Sequence, residues 1–84
     1  MSKAEKLFER MKNTKHGWGP EDLHTLYTGY GFKHKEGSNH TIYYHPDFPE
    51  LMATVARHTS LVVGYIQTAI KLITRLEELR SKPK

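Results

Sequence analysis

Chemistry in this chain starts with a histidine that follows a turn. Gly37-Ser38-Asn39 is turn-forming, and His40 opens a run of β-branched and aromatic residues. An imidazole exchanges its proton at about pH 6.5 when unperturbed, so an accessible histidine can serve as general acid or base near neutral pH. Lys33 and Lys35 precede the turn and Arg57 lies further on; all three are residue types that hold anionic charge. Ser38 and Asn39 add polar groups in the turn itself. Position alone is weak evidence. A lone histidine after a turn is more often a turn residue, and lysines alternating along a strand also describe a solvated edge.

Other chemistries are poorly provided for. The chain has six histidines but no His-Glu-x-x-His, and it has no cysteine, so a metal centre is not expected and no cofactor is called for. There is no Gly-rich phosphate loop and no Ser-His-Asp arrangement that spacing would support. His45 before Pro46 reads as a turn-fixing residue, and His58 as part of a helix start with Thr59 or Ser60 as cap. His16, His24 and His34 read as surface residues. Tyr27, Tyr30, Tyr43 and Tyr44 are capable of stacking on bases, though core and cross-strand packing is the commoner use of tyrosine. Trp18, in a Gly-rich loop, is expected to cover the second helix.

The elements that must position these residues follow from periodicity. Ala4, Leu7, Phe8 and Met11 fall on one helical face, which predicts a helix over Lys3 to Lys12. Asn13 to Gly19 breaks it. Gly19-Pro20-Glu21-Asp22 is a helix start, with proline suited to the first position and acids to the positive end of the dipole. Leu23, Leu26, Tyr27 and Tyr30 continue that helix, and Gly29 and Gly31 are expected to stop it. Three strands are predicted next, over Phe32 to Glu36, His40 to His45 and Leu51 to Ala56, with turns at Gly37-Ser38-Asn39 and Pro46-Asp47-Phe48-Pro49. A long helix closes the chain from about Val63 to Leu79. It carries a main stripe of Ile66, Ala69, Ile70 and Ile73 and a second of Tyr65, Leu72, Leu76 and Leu79. The second stripe is expected to receive the N-terminal helix or another subunit, as in a homodimer. The fold class expected is α+β, a three-stranded antiparallel sheet with helices on one face. Strand alternation places His40 on the same face as Ile42; if Ile42 is core, His40 must escape at the rim or through a bulge.

Composition sets the outer limits. The 84 residues fit one domain, in which a bound partner would supply a useful share of stability. The net charge of +4 is a moderate bias towards polyanions. Met1 to His16 carries five basic and two acidic residues, Gly17 to Ser60 three and five, and Leu61 to Lys84 five and two, so positive charge gathers at the ends. Without cysteine, a signal-peptide core or a membrane-length apolar run, a cytoplasmic location and no membrane partner are expected.

From Pro20 to Ile73 the chain resembles the HicA toxins, also called the YcfA-like family. The residues that carry this are Tyr30-Gly31-Phe32, Gly37-Ser38-Asn39-His40, Ile42, His45-Pro46, Val55-Ala56-Arg57-His58, Leu61, Gly64 and Ile70. The Gly-Ser-x-His turn is short alone; joined to a His-Pro turn and an Arg-His before a terminal helix it is fairly specific. The resemblance covers about two-thirds of the chain: a family core of about 20–73 within a single domain of 1–84. The helix over 1–13 would be extra and 81–84 a frayed tail. It implies αβββα order, like a double-stranded-RNA-binding domain, and a ribonuclease that attacks messenger RNA and is held inactive by a HicB antitoxin. The catalytic histidine would be His40, and Lys33, Lys35, Ser38, Asn39 and Arg57 become candidates for RNA contacts. Histidine suits removal of the 2′-hydroxyl proton as that oxygen attacks phosphorus, and the need for a 2′-hydroxyl selects RNA over DNA. The chain departs from the family in two places, with Glu36 where a basic residue often precedes Gly-Ser, and Tyr44 where many relatives have arginine. Both are expected to remove positive charge from the RNA groove. The alternatives on the same fold are a module that binds RNA or protein without cutting, and a purely structural interaction protein.

Overall fold

The computed structural model describes residues 2–56 and 63–81. Its elements are α1 (Lys3–Asn13), α2 (Pro20–Gly29), β1 (Lys33–Glu36), β2 (His40–Tyr44), β3 (Met52–Ala56) and α3 (Val63–Ser81). This is the expected α+β class and order, αβββα with one further helix in front. Arg57, His58, Leu61 and the expected Thr59 or Ser60 cap lie outside the described residues, as does the tail beyond Ser81.

α1 begins with a reciprocal cap. Ser2 Oγ accepts from the Glu5 amide at 3.2 Å, while the Ser2 amide donates to Glu5 Oε1 at 2.9 Å. Ala4, Leu7, Phe8 and Met11 are all buried, as their spacing predicted. α1 packs mainly on α2 and also meets α3. Trp18 packs against the core beside the end of α1. Its Nε1 donates to the Thr14 carbonyl at 2.7 Å, and the Arg10 guanidinium lies 5.3 Å from its ring centroid.

α2 ends in a glycine cap. Gly31 has φ +94°, its amide donates to the Thr28 carbonyl, and the Phe32 amide reaches back to Tyr27. Gly29 is not part of this stop, contrary to expectation. It remains helical, and a Cβ there would overlap that of Ala4, so its role is the close approach of α1 to α2.

The sheet has the order β1-β2-β3, both pairs antiparallel. Lys35 faces Ile42 and His34 faces Tyr43 across β1 and β2; His40 faces Ala56, and Tyr43 faces Ala53, across β2 and β3. Tyr43, Ala53 and Val55 point towards the helices and are buried. They meet Leu23, Leu26 and Tyr27 of α2 and Ile66, Ala69, Ile73 and Leu76 of α3 in one core. Leu76 thus belongs to the buried stripe of α3, whereas Ile70 shares the half-buried flank with Tyr65, Leu72 and Leu79.

The C-terminal end of α3 is clasped to the sheet. Arg80 Nη2 donates to the Tyr30 carbonyl at 3.2 Å and lies 3.2 Å from His45 Nε2. His45 is 2% exposed, with edge-on or tilted contacts to Phe32 and Phe48. It does fix its turn, since the Asp47 amide donates to Nδ1 at 3.1 Å. With Nδ1 accepting, the neutral ring carries its proton on Nε2, towards the Tyr30 carbonyl. Burial first, and then the Arg80 charge, push the His45 pKa down.

Candidate functional site: the open face of the sheet

Side chains alternate along a strand, and β2 shows which of its two faces the helices cover. Thr41 and Tyr43 point to the helices. His40, Ile42 and Tyr44 point away from them. Ile42 is therefore not core, and His40 needs neither a bulge nor a rim position to reach solvent. It is exposed, at the first position of β2. The Gly37 amide donates to the His40 carbonyl at 2.8 Å, so the tight turn fixes the backbone from which the imidazole projects. Among the described residues, no hydrogen bond restrains the imidazole itself.

Register fixes what surrounds it. Three rows cross the open face: Lys33, Tyr44 and Met52; Lys35, Ile42 and Thr54; then His40 and Ala56. Lys35 is directly opposite Ile42 and diagonal to both His40 and Tyr44, roughly 7–8 Å away by sheet geometry. Both lysines are exposed, and none of the described sheet residues on this face is acidic. Ser38 and Asn39 are exposed in the turn that precedes His40. Of the residues singled out in the sequence, Lys33, Lys35, Ser38, Asn39 and His40 thus lie on this face or at its rim. Arg57 lies outside the described residues.

The other described histidines are elsewhere. His24 and His34 stand on the helix side, their rings edge-on at 4.8 Å, with His24 Nδ1 2.9 Å from Tyr43 Oη. Glu36 points the same way, its Oε2 3.9 Å from His34 Nδ1. Burial and then the Glu36 charge raise the Tyr43 phenol pKa. A cleft of about 230 Å³ opens beside this cluster, between Pro20 and Glu21 of α2 and Thr41 and Val55 of the sheet. The Glu36 side chain is thus directed to the face opposite His40. Tyr44 is on the His40 face. No group of three or more potential metal ligands comes together among the described residues.

Tyr44, Met52 and Thr54 were not separable from core or edge residues in the sequence. Alternation showed which residues share a face, but both sets in β2 contain a large apolar side chain, Ile42 in one and Tyr43 in the other. Among the described residues, fold and site together define an α+β sandwich whose sheet face away from the helices is cationic on β1, carries Tyr44 and Ile42 on β2 and Met52 and Thr54 on β3, and presents a solvent-accessible imidazole. No family model, curated protein or solved structure matches the chain. No helix among the described residues is long and apolar enough to cross a membrane.

Proposed function

We propose that this chain is a toxin of the HicA kind: a metal-independent endoribonuclease that cuts messenger RNA and is held inactive by a HicB-like antitoxin partner, in the cytoplasm. The observation that carries the reading is the placement of His40, exposed on an open sheet face with Lys33 and Lys35 and no carboxylate among its described side chains. The resemblance in Gly37-Ser38-Asn39-His40 supplies the reaction. His40 takes the proton from a ribose 2′-hydroxyl as that oxygen attacks the adjacent phosphorus. The bond to the 5′-oxygen breaks, that oxygen takes a proton from water, and the products are a 2′,3′-cyclic phosphate and a 5′-hydroxyl. Lys35 stands where it can hold the extra charge on the phosphoryl oxygens.

The test pairs the wild type with His40→Ala, expressed in a host cell and assayed as purified proteins on RNA in the presence of a chelator. Loss of a general base removes roughly 10²–10⁴-fold in rate. An exposed site leaves stability within about ±0.5 kcal/mol. Growth arrest and chelator-resistant cleavage by the wild type alone are expected. Equal cleavage by both proteins would remove His40 from the mechanism.

One observation favours a second reading, a module that binds RNA without cutting it. Among the described residues no second proton-transfer group is hydrogen-bonded to His40. RNA binding by both proteins with cleavage by neither would select it.

A further inference from the structure

We infer that the open face is a platform for single-stranded RNA, on which Tyr44 stacks a base about two nucleotides from the bond presented to His40. The inference deepens the ribonuclease reading and rests on it only for the position of the scissile bond.

The three cross-strand rows set the polarity of the surface. Lys33 and Lys35 lie on β1, at one side, where a ribose-phosphate backbone would be neutralised. Tyr44 and Ile42 occupy the middle strand, and Met52, 59% exposed, continues the apolar surface on β3. Backbone charge thus falls along one edge strand and base-stacking surface along the other two. A flat sheet surface built this way suits a single strand, whose unstacked bases can turn onto an aromatic ring. A duplex hides its base faces and would leave Tyr44, Ile42 and Met52 without a function.

Tyr44 is the anchor of the platform. It is half-buried, between Lys33 and Met52 in its row, and no other aromatic ring packs on it among the described residues. The remaining weighed tyrosines are committed to packing: Tyr27 and Tyr43 stack on each other with centroids 4.7 Å apart, and Tyr30 meets Phe8 edge-on at 5.8 Å. Tyr44 lies four positions after His40 on one strand, a span of about 13 Å at the usual rise. That span corresponds to about two nucleotides of extended chain. Lys35, diagonal to both, then lies between the stacked base and the scissile phosphate whose charge it holds. The face therefore gives a reason for the tyrosine at position 44: it exchanges one phosphate contact for a base contact and selects unpaired RNA.

The experiment measures binding apart from cleavage. Full-length His40→Ala protein is titrated into a fluorescently labelled 12-nucleotide single-stranded RNA and, separately, into an RNA duplex of the same length, with anisotropy as the readout. The single strand is expected to bind more tightly than the duplex. Adding Tyr44→Ala should weaken single-strand binding roughly ten- to hundredfold, as loss of one stacked base does, while Tyr44→Phe retains it. Removing Lys33 and Lys35 together should reduce the slope of log affinity against log salt by about 1.4. Circular dichroism on each variant confirms the fold. Unchanged binding on Tyr44→Ala, equal binding of duplex, or no RNA binding at all with capture of a protein partner on this face would overturn the platform. The two readings fail separately. Cleavage by the wild type that is indifferent to Tyr44 leaves the nuclease standing without the platform, and Tyr44-dependent binding without cleavage does the reverse.

Discussion

Gly31→Ala tests the clasp that holds α3 to the sheet. Gly31 has φ +94°, a conformation that costs an L-residue roughly 1–2 kcal/mol. A Cβ there would also lie 3.1 Å from Arg80 Nη2 and 3.3 Å from His45 Nε2. His45 cannot give way, because Phe32 and Phe48 pack on its ring and the Asp47 amide is bonded to Nδ1. Arg80 must give by a few tenths of an ångström, which stretches its 3.2 Å bond to the Tyr30 carbonyl, and a hydrogen bond from a charged donor is worth at most about 1.5–3 kcal/mol. That upper value applies to a dry site, and Arg80 is exposed overall, so the lower end is appropriate. The sum is at most about 2–4 kcal/mol for Gly31→Ala in the wild-type background. In an Arg80→Ala background only the backbone part remains, about 1–2 kcal/mol, so the two substitutions should couple by up to about 1 kcal/mol. Urea unfolding followed by far-ultraviolet circular dichroism measures all four proteins of the cycle. A Gly31→Ala cost below about 0.5 kcal/mol, or the same cost with and without Arg80, would refute the reasoning.

Two further outcomes follow from the same packing. His45 is buried neutral, with its folded pKa below the unfolded value of about 6.5, so the unfolded chain binds the extra proton first. This contribution is complete above about pH 6.5 and is lost as pH falls towards the folded pKa, at up to about 1.4 kcal/mol per pH unit; His45→Gln should flatten that part of a stability-against-pH curve, and an unchanged slope would sink the assignment. Phe8→Ala removes a ring that is 3% exposed and edge-on to Tyr30, and should cost about 3–5 kcal/mol in thermal or urea unfolding. A cost under 1 kcal/mol would mean that α1 is an ornament rather than part of the core.

Much of the architecture is legible in local signals. The i, i+3, i+4, i+7 spacing of Ala4, Leu7, Phe8 and Met11, the proline at the start of α2 and the glycine at its end are short-range instructions, and each is obeyed. The turn before His40 and the strand after it are equally local. Strand ends differ by one residue from expectation because Phe32, His45 and Leu51 turn inwards just outside the ladders: their side chains are core, but their backbones pair only in part. The Ser2–Glu5 cap was available as a Ser-x-x-Glu pattern and is the signal that periodicity alone passes over.

The candidate site is only half local. Period-two alternation determined that His40, Ile42 and Tyr44 share a face, and that Thr41 and Tyr43 share the other. It could not determine which face is open, since each set offers an apolar side chain. That choice was made by where α2 and α3 dock, on Tyr43, Ala53 and Val55, and it turned His40 and Tyr44 outwards and Glu36 away from them. The Arg80 clasp is further still from local reading, a bond to a carbonyl 50 positions away in the chain. The sequence by itself therefore determined the elements, the turn and the identity of the exposed-capable imidazole, because these depend on neighbours in the chain. Only the tertiary structure decided which side of the sheet faces water and what shares it with His40, because burial is a property of the packed layers and not of any one strand.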